Sequence, residues 1–482
     1  MSAVAHSERR LIGARSRRWA PVLAGALALV LVAAAVEIVL DGAAGRSPEI
    51  PLSPDISAWL QGLGERLGFR VFLIALLASS CAYAGLLVLI ARERGWTLAR
   101  DGVREARAAV GTPVISARWA IALVAALQLI VFAGPVLIST DVFSYIAYAR
   151  MGVEHGLNPY LNGPVAIAGD PVFKYVGPDW IHVATAYGPL YTLLSYPLAP
   201  LGVLGALWGM KLEALLASAG TLALTWRCAR VRGFDPTLAL LAVGANPLYV
   251  IYGLGGAHND LLMMLAMMGA VTLTIAGAPS GGTGTHSEGV GREGLGREGL
   301  GREGSAAALV VAGALIKATV AVLLPFMILS RRRLAPVLGS LAAIVLGAIV
   351  GYAVFGIHGI DLVAALNRDA AFVSTDSFAT EIAHLFGKAG VFPIDHDLLK
   401  VALVLIFLHL LWRTWRGYDW VAASGWALLA ISVTSTWLLA WYILWPLPLA
   451  VVSRDRRLLA ATLAIQGLFV IHQISPILAP VQ

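Results

Sequence analysis

Residues 19–40 read WAPVLAGALALVLVAAAVEIVL, an apolar run broken by one charge, Glu37. A bilayer core of ~30 Å is crossed by ~20 such residues wound as a helix. Runs of the same kind recur at 69–91 and 114–139. None alternates with the period of two that a membrane barrel strand needs. Backbone in lipid must bond within its own segment, so the runs predict transmembrane helices. Hydrophobic residues form 59% of the 482 and charged residues 13%, against roughly 25% charged in a soluble domain. A soluble fold could not cover that much apolar surface. The expected fold class is all-α, a polytopic transmembrane helical bundle of about thirteen spans, forming a single domain over residues 1–482.

The net charge of +7 has a use other than nucleic acid. Arginines sit beside the runs, the pattern that orients a membrane chain. Arg9, Arg10, Arg15, Arg17 and Arg18 place the N-terminus in the cytoplasm, and the run after them suits a first span better than a cleaved signal. Residues 41–68 then lie outside, Arg92, Arg94, Arg100, Arg104 and Arg107 inside, and 140–188 outside. Within 189–228, residues 189–208 read as a re-entrant helix and 212–228 as the span, with Lys211 and Glu213 between them. Residues 236–254 cross outward and 261–276 return. Residues 277–304, with their GREGL repeats, read as a disordered cytoplasmic linker. Residues 305–330 read as two short helices broken at Lys317, which keeps Arg331, Arg332 and Arg333 inside. Later spans fall at 334–355, 398–412, 420–436 and 439–452, with a large outer loop at 356–397 and a last span ending near Ile474. Two cysteines, Cys81 and Cys228, exclude a disulfide framework and a cysteine zinc site. No phosphate-loop, H-E-x-x-H or G-x-S-x-G string occurs.

Polar strings gather on the outer side. DVFSYIAYARMGVEHGLNPY, 141–160, follows the third run. Asp141, Tyr145 and Tyr148 are spaced i, i+4, i+7 on one helix face, with Arg150 close behind. A carboxylate on an aromatic face suits sugar binding and proton abstraction. It equally suits a helix cap beside an interfacial aromatic belt. Asn158 and Tyr160 (NPY) and Tyr187 (YGPLY) mark turns. His258, Asn259 and Asp260 open a helix and could be no more than a cap. Lys317 lies where a charge in lipid costs ~2.5–3.5 kcal/mol, so a cavity-facing position is expected. Trp437, Trp441, Tyr442 and Trp445, in WLLAWYILWPLPLA, serve either as interface anchors or as a sugar or prenyl platform. Asp395, His396 and Asp397 form a D-x-D string too short to carry a metal reading, and none is expected.

Taken in order, these strings resemble the GT-C superfamily of polyprenyl-phosphate-sugar-dependent glycosyltransferases. They are most similar to the actinobacterial α-1,6-mannosyltransferases, over about residues 139–448. The resemblance implies a cell-membrane enzyme whose cavity opens to the outer face. It implies a polyprenyl-phosphate sugar donor, a glycan or glycolipid acceptor, inversion at the sugar carbon and no cofactor. Asp141 then becomes the catalytic base, and Lys317, Arg150 and His258 the groups facing the leaving phosphate. Asp260 and Asp376 are the next acids should Asp141 not serve. A secondary transporter or lipid flippase remains the alternative, since it explains the hydrophobicity and the broken helices, though not polar residues gathered on one side. A non-catalytic assembly subunit is a third class.

Overall fold

A computed structural model describes residues 2–43, 69–93, 114–275, 292–360, 373–375, 377–385, 387–388 and 390–475. Most of the expected outer loop at 41–68, most of the basic loop after Arg92, residues 277–291 of the linker, parts of the 356–397 loop, and Asp376 lie outside them. Among the described residues every regular element is helical. The principal helices are α1 (Ser2–Asp41), α2 (Phe69–Glu93), α3 (Ala117–Ala133), α4 (Asp141–Val153), α5 (Pro189–Ser195), α6 (Gly202–Val231), α7 (Pro236–Gly244) and α8 (Asp260–Ile275). The second half holds α9 (Arg292–Ala314), α10 (Leu323–Arg331), α11 (Leu334–Phe355), α12 (Phe378–Leu385), α13 (Pro393–Trp415), α14 (Trp420–Thr434), α15 (Leu447–Val452) and α16 (Arg456–Gln473).

Four described stretches are long and apolar enough to cross a membrane: Trp19–Asp41, Arg70–Arg92, Pro189–Val231 and Leu334–Gly359. Five further apolar helices run 10–17 residues. Several expected spans are therefore joined half-helices. The 236–254 segment is α7, a bend at Asn246, and a π turn at Tyr249–Leu254. The 439–452 segment is a 3-10 turn, Ala440–Leu444, followed by α15. The core lies where α6 and α9 pack on α8, with α11 against α9. α11 turns Leu338, Leu341, Val345, Leu346 and Ile349 outward, a face suited to lipid.

Two expectations are corrected. The charges at Lys211 and Glu213 do not interrupt a helix, because α6 runs unbroken through both. Lys211 donates to the Gly134 carbonyl and lies 4.4 Å from the Trp208 ring, so its charge is satisfied without opening the backbone. The interruption falls at Pro197 to Gly202, where Gly202 takes a φ of 69°. The linker expectation fails for 292–304, which form the first half of α9. Its Glu303 is buried and pairs with Arg333 at 3.4 Å and Arg331 at 3.8 Å. Gly304 lets the α9 backbone meet Gly339 of α11 directly. Repetition of small and charged residues suggests disorder on its own; tertiary pairing gives these a helix.

That backbone contact sets a test. A Cβ on Gly339 would fall on the Gly304 peptide, whereas one on Gly301 meets open space. Gly339→Val should force α9 and α11 apart and cost about 1–3 kcal/mol through overpacking, read as a lower melting temperature in detergent. Gly301→Ala should be neutral or stabilising, since Ala is the better helix former.

Candidate active site

The site is built by two strained turns that touch. α3 ends at Gly134, and the chain reaches α4 through Ile138, a β-branched residue held at φ 69°. The π turn reaches α8 through Ala257 at φ 51°. Left-handed backbone at such residues is uncommon and is kept where surrounding structure enforces it. Here the Leu137 N–H donates to the Gly255 carbonyl at 2.9 Å. Gly255 leaves the room: a Cβ there would strike the Ile251 carbonyl and the Leu137 side chain. Asp141 is thereby set beside His258, with Oδ2 3.7 Å from Nδ1.

Asp141 is not the helix cap. Thr140 occupies that position without a side-chain cap bond, and Asp141 is the first helical residue. Its side chain keeps 12% exposure, with the Ser139 hydroxyl nearby. Burial pushes the Asp141 carboxyl up to about 6, against the opposing charge of Lys317. Burial, then Lys317, holds His258 well below its ordinary value, so the imidazole is neutral. It stacks on Trp441, with centroids 3.6 Å apart. Neither ring nitrogen of His258, neither amide atom of Asn259 nor the Trp441 indole N–H has a hydrogen-bond partner among the described residues. All three side chains are buried. Buried polar groups are ordinarily paired; a cluster left open is a place for a polar ligand.

Opposite stands a closed pair. Lys317 Nζ lies 2.8 and 2.9 Å from the two Asp260 oxygens, and Trp445 Nε1 donates to Asp260 at 2.6 Å. The ammonium rests over Tyr442 at 4.6 Å and Trp445 at 5.3 Å. The helix breaks at Lys317, where the backbone is extended. Helix ends leave carbonyls without partners, and here α5 supplies them. The Gly188 N–H binds Ile316 O at 3.1 Å and the Leu190 N–H binds Leu315 O at 3.0 Å. A Cβ on Gly188 would occupy the Leu315 carbonyl, which is why the YGPL turn carries glycine there.

The remaining expected residues fall into two groups. Tyr145 is buried in α4, edge-on to Tyr187 at 4.8 Å and Tyr191 at 5.1 Å. Tyr148 is buried too and donates to Val183 O at 2.8 Å. Burial removes the reading of these two as an interfacial belt. Tyr160 donates to Tyr187 O at 2.9 Å and so braces the turn that carries Tyr187, while Asn158 ties its own turn to Phe355 O at the end of α11 at 2.8 Å. Arg150 is spent elsewhere. Its guanidinium forks onto Asp170 at 2.9 to 3.0 Å and donates to Ala199 O. Burial alone would raise Asp170, but Arg150 and His155 overcome it and bring the carboxyl to about 2. Arg150 therefore holds the 141–188 segment together and makes no contact with the Asp141 cluster. Asp395 caps α13 through the Phe392 N–H and pairs with Lys388. Sequence reading named Trp445 only as a platform or anchor aromatic and Tyr191 only as part of a turn, without the partners the fold gives them; it missed Asp170, which nothing nearby marked.

Comparison with known proteins supplies the kinship. Residues 22–333 match a family profile described as α-(1→6)-mannopyranosyltransferase, N-terminal domain, and residues 393–476 match an MptB C-terminal domain. An α-(1→6)-mannopyranosyltransferase A of Mycobacterium tuberculosis is 26% identical over 69% of this chain and 66% of its own length. One from Corynebacterium glutamicum is 30% identical over 28% of each chain. The chain thus spans a little under two thirds of the first of these relatives and much less of the second. No solved structure matches.

The closed pair makes a prediction. Removing one partner of a buried ion pair costs about 3–5 kcal/mol, whereas replacing both by apolar groups is often near neutral. Lys317→Met should lower the melting temperature sharply, and Lys317→Met with Asp260→Leu should recover much of the loss. Equal destabilisation in both would show that the pair is not what holds the break.

Proposed function

Because this chain belongs to the α-(1→6)-mannopyranosyltransferase family, we propose that it is a mannosyltransferase whose base is Asp141. The donor is a polyprenyl-phosphate mannose, the acceptor a mannose-bearing glycan or glycolipid, and the reaction face the outer one. The observation that carries the reading is the contrast between two carboxylates that face each other's charge in the site. Asp260 is taken up by Lys317 and Trp445. Asp141 has no lysine or arginine partner among the described residues and keeps some exposure. A base must meet its proton within hydrogen-bond reach, and only the second carboxylate is free to do so.

The chemistry follows from that asymmetry. The acceptor hydroxyl attacks the sugar carbon as its proton passes to Asp141. The bond from that carbon to phosphate oxygen breaks, and the lipid phosphate leaves with the electron pair. One displacement gives inversion. Asp141 becomes neutral as the phosphate gains charge, so the local field turns toward the Lys317 ammonium when a cation is needed. The open polar groups of His258, Asn259 and Trp441 are the hydroxyl partners for a bound sugar. The half-buried Tyr442 ring supplies a face for its apolar side.

Orientation rests on charge. Asp260 and Lys317 lie at one end of their helices, and Arg232, Arg331, Arg413 and Arg454 at the other. A basic end facing the cytoplasm supports an outer-face site.

The test is transfer of radiolabelled mannose from polyprenyl-phosphate mannose to an α-(1→6)-linked oligomannoside by purified protein. Asp141→Asn should fold like the parent and lose about 10²–10⁴-fold in rate. The parent rate should rise with pH through about 6, because the ionised form is the base, and then level. Parental transfer by the Asn variant, or donor movement without transfer, would defeat the proposal.

A further inference from the structure

A sizeable cavity lies away from the Asp141 site. It encloses about 1080 Å³ and is lined by Thr274 and Ile275, at the far end of the helix that Asp260 begins. That helix has 16 residues, so the cavity lies about 24 Å along it from the Asp260–Lys317 pair. Five arginines line it, Arg232, Arg331, Arg413, Arg454 and Arg457, against two aspartates, Asp419 and Asp455.

The acids are already spent. Asp419 takes the Arg232 fork at 2.7 and 3.1 Å and caps α14 through the Val421 N–H. Asp455 accepts from the Tyr418 hydroxyl, from Trp426 Nε1 at 3.0 Å, and from the Arg457 N–H that starts α16. Arg413 lies over the Tyr418 ring at 3.8 Å. The guanidinium groups of Arg413, Arg454 and Arg457 have no carboxylate partner among the described residues. Arg331 Nε is buried and unpartnered. Arginines that merely orient a chain need only water around them. These come from separate segments and converge on one walled space, which also has the aromatic sides of Tyr418 and Trp426 and the apolar Val231.

We propose that this cavity is a second binding site, distinct from the transfer site, that takes a phosphate-bearing anion on Arg413, Arg454 and Arg457. Guanidinium is suited to this task because its planar fork matches phosphate oxygens. The phosphate belongs either to an anionic lipid headgroup of the adjoining leaflet or to a soluble phosphate compound.

The test uses the full chain in phosphatidylcholine nanodiscs. One arm titrates inorganic pyrophosphate; the other replaces phosphatidylcholine stepwise with phosphatidylglycerol. Melting temperature is the readout, since a ligand of the native state raises it. A rise confined to one arm assigns the source, and a rise in both assigns the shared phosphate. Arg454→Gln with Arg457→Gln should weaken the response at least about tenfold, because a charge-assisted hydrogen bond is worth roughly that or more. Arg230→Gln, on the same face and outside the cavity, should leave it unchanged. Should the double variant melt lower without ligand, Arg454→Gln alone decides by the same titration. No rise in either arm, or an equal rise in parent and cavity variant, overturns the proposal.

Discussion

The buried pair of Lys317 and Asp260 is the constraint around which the site is arranged. Neither charge could stand alone at that depth, and each pins a different break in the helical bundle. Lys317 sits on the extended residue between α9 and its 3-10 continuation. Asp260 opens α8 after the strained Ala257 turn. Holding the two together at 2.8 Å brings the ends of helices 57 residues apart in sequence into one wall. Trp445 then closes the pair from a third segment, and the stacked Tyr442 and Trp445 rings, 4.3 Å apart, shield it.

With that pair closed, the proposed chemistry falls to the residue left out of it. Asp141 differs from Asp260 in its partners and not in its residue type. It feels the charge of Lys317 without being paired with it, and burial keeps its proton affinity above that of a solvated carboxylate. The two left-handed residues, Ile138 and Ala257, hold backbone strain of order 1–3 kcal/mol each. The Leu137–Gly255 hydrogen bond joins their turns. Strain in both turns is the means by which Asp141 and His258 face one space.

The two ends of the bundle are electrostatically unlike. At the Asp141 end, cation and acid are balanced, and the open groups are neutral donors and acceptors. At the other end arginines outnumber the acids, and those acids are occupied in capping helices and binding Arg232. The first arrangement suits a polyhydroxylated ligand; the second suits an anion.

Length and hydropathy were enough to establish apolar helices suited to a membrane, because lipid leaves the backbone no other solution, and arginine positions supplied the orientation that the proposed function adopts. The strings around Asp141, His258 and Trp441 were visible as polar groups in apolar surroundings. Residue type alone could not tell a cap from a base, or a phosphate-facing lysine from a paired one. That distinction depends on which side chains meet across long separations, and Arg150 illustrates it: an arginine beside the key acid in sequence is bound to Asp170 in space. The end of the glycine-rich repeat shows the same limit, since Glu303 and Gly304 are ordered by Arg331, Arg333 and Gly339. Local sequence determined where helices and charges stand along the chain. Tertiary packing decided which charges are neutralised and which carboxylate is left free, because an ion pair forms by proximity in three dimensions and its burial penalty is lifted only by the partner that the fold delivers.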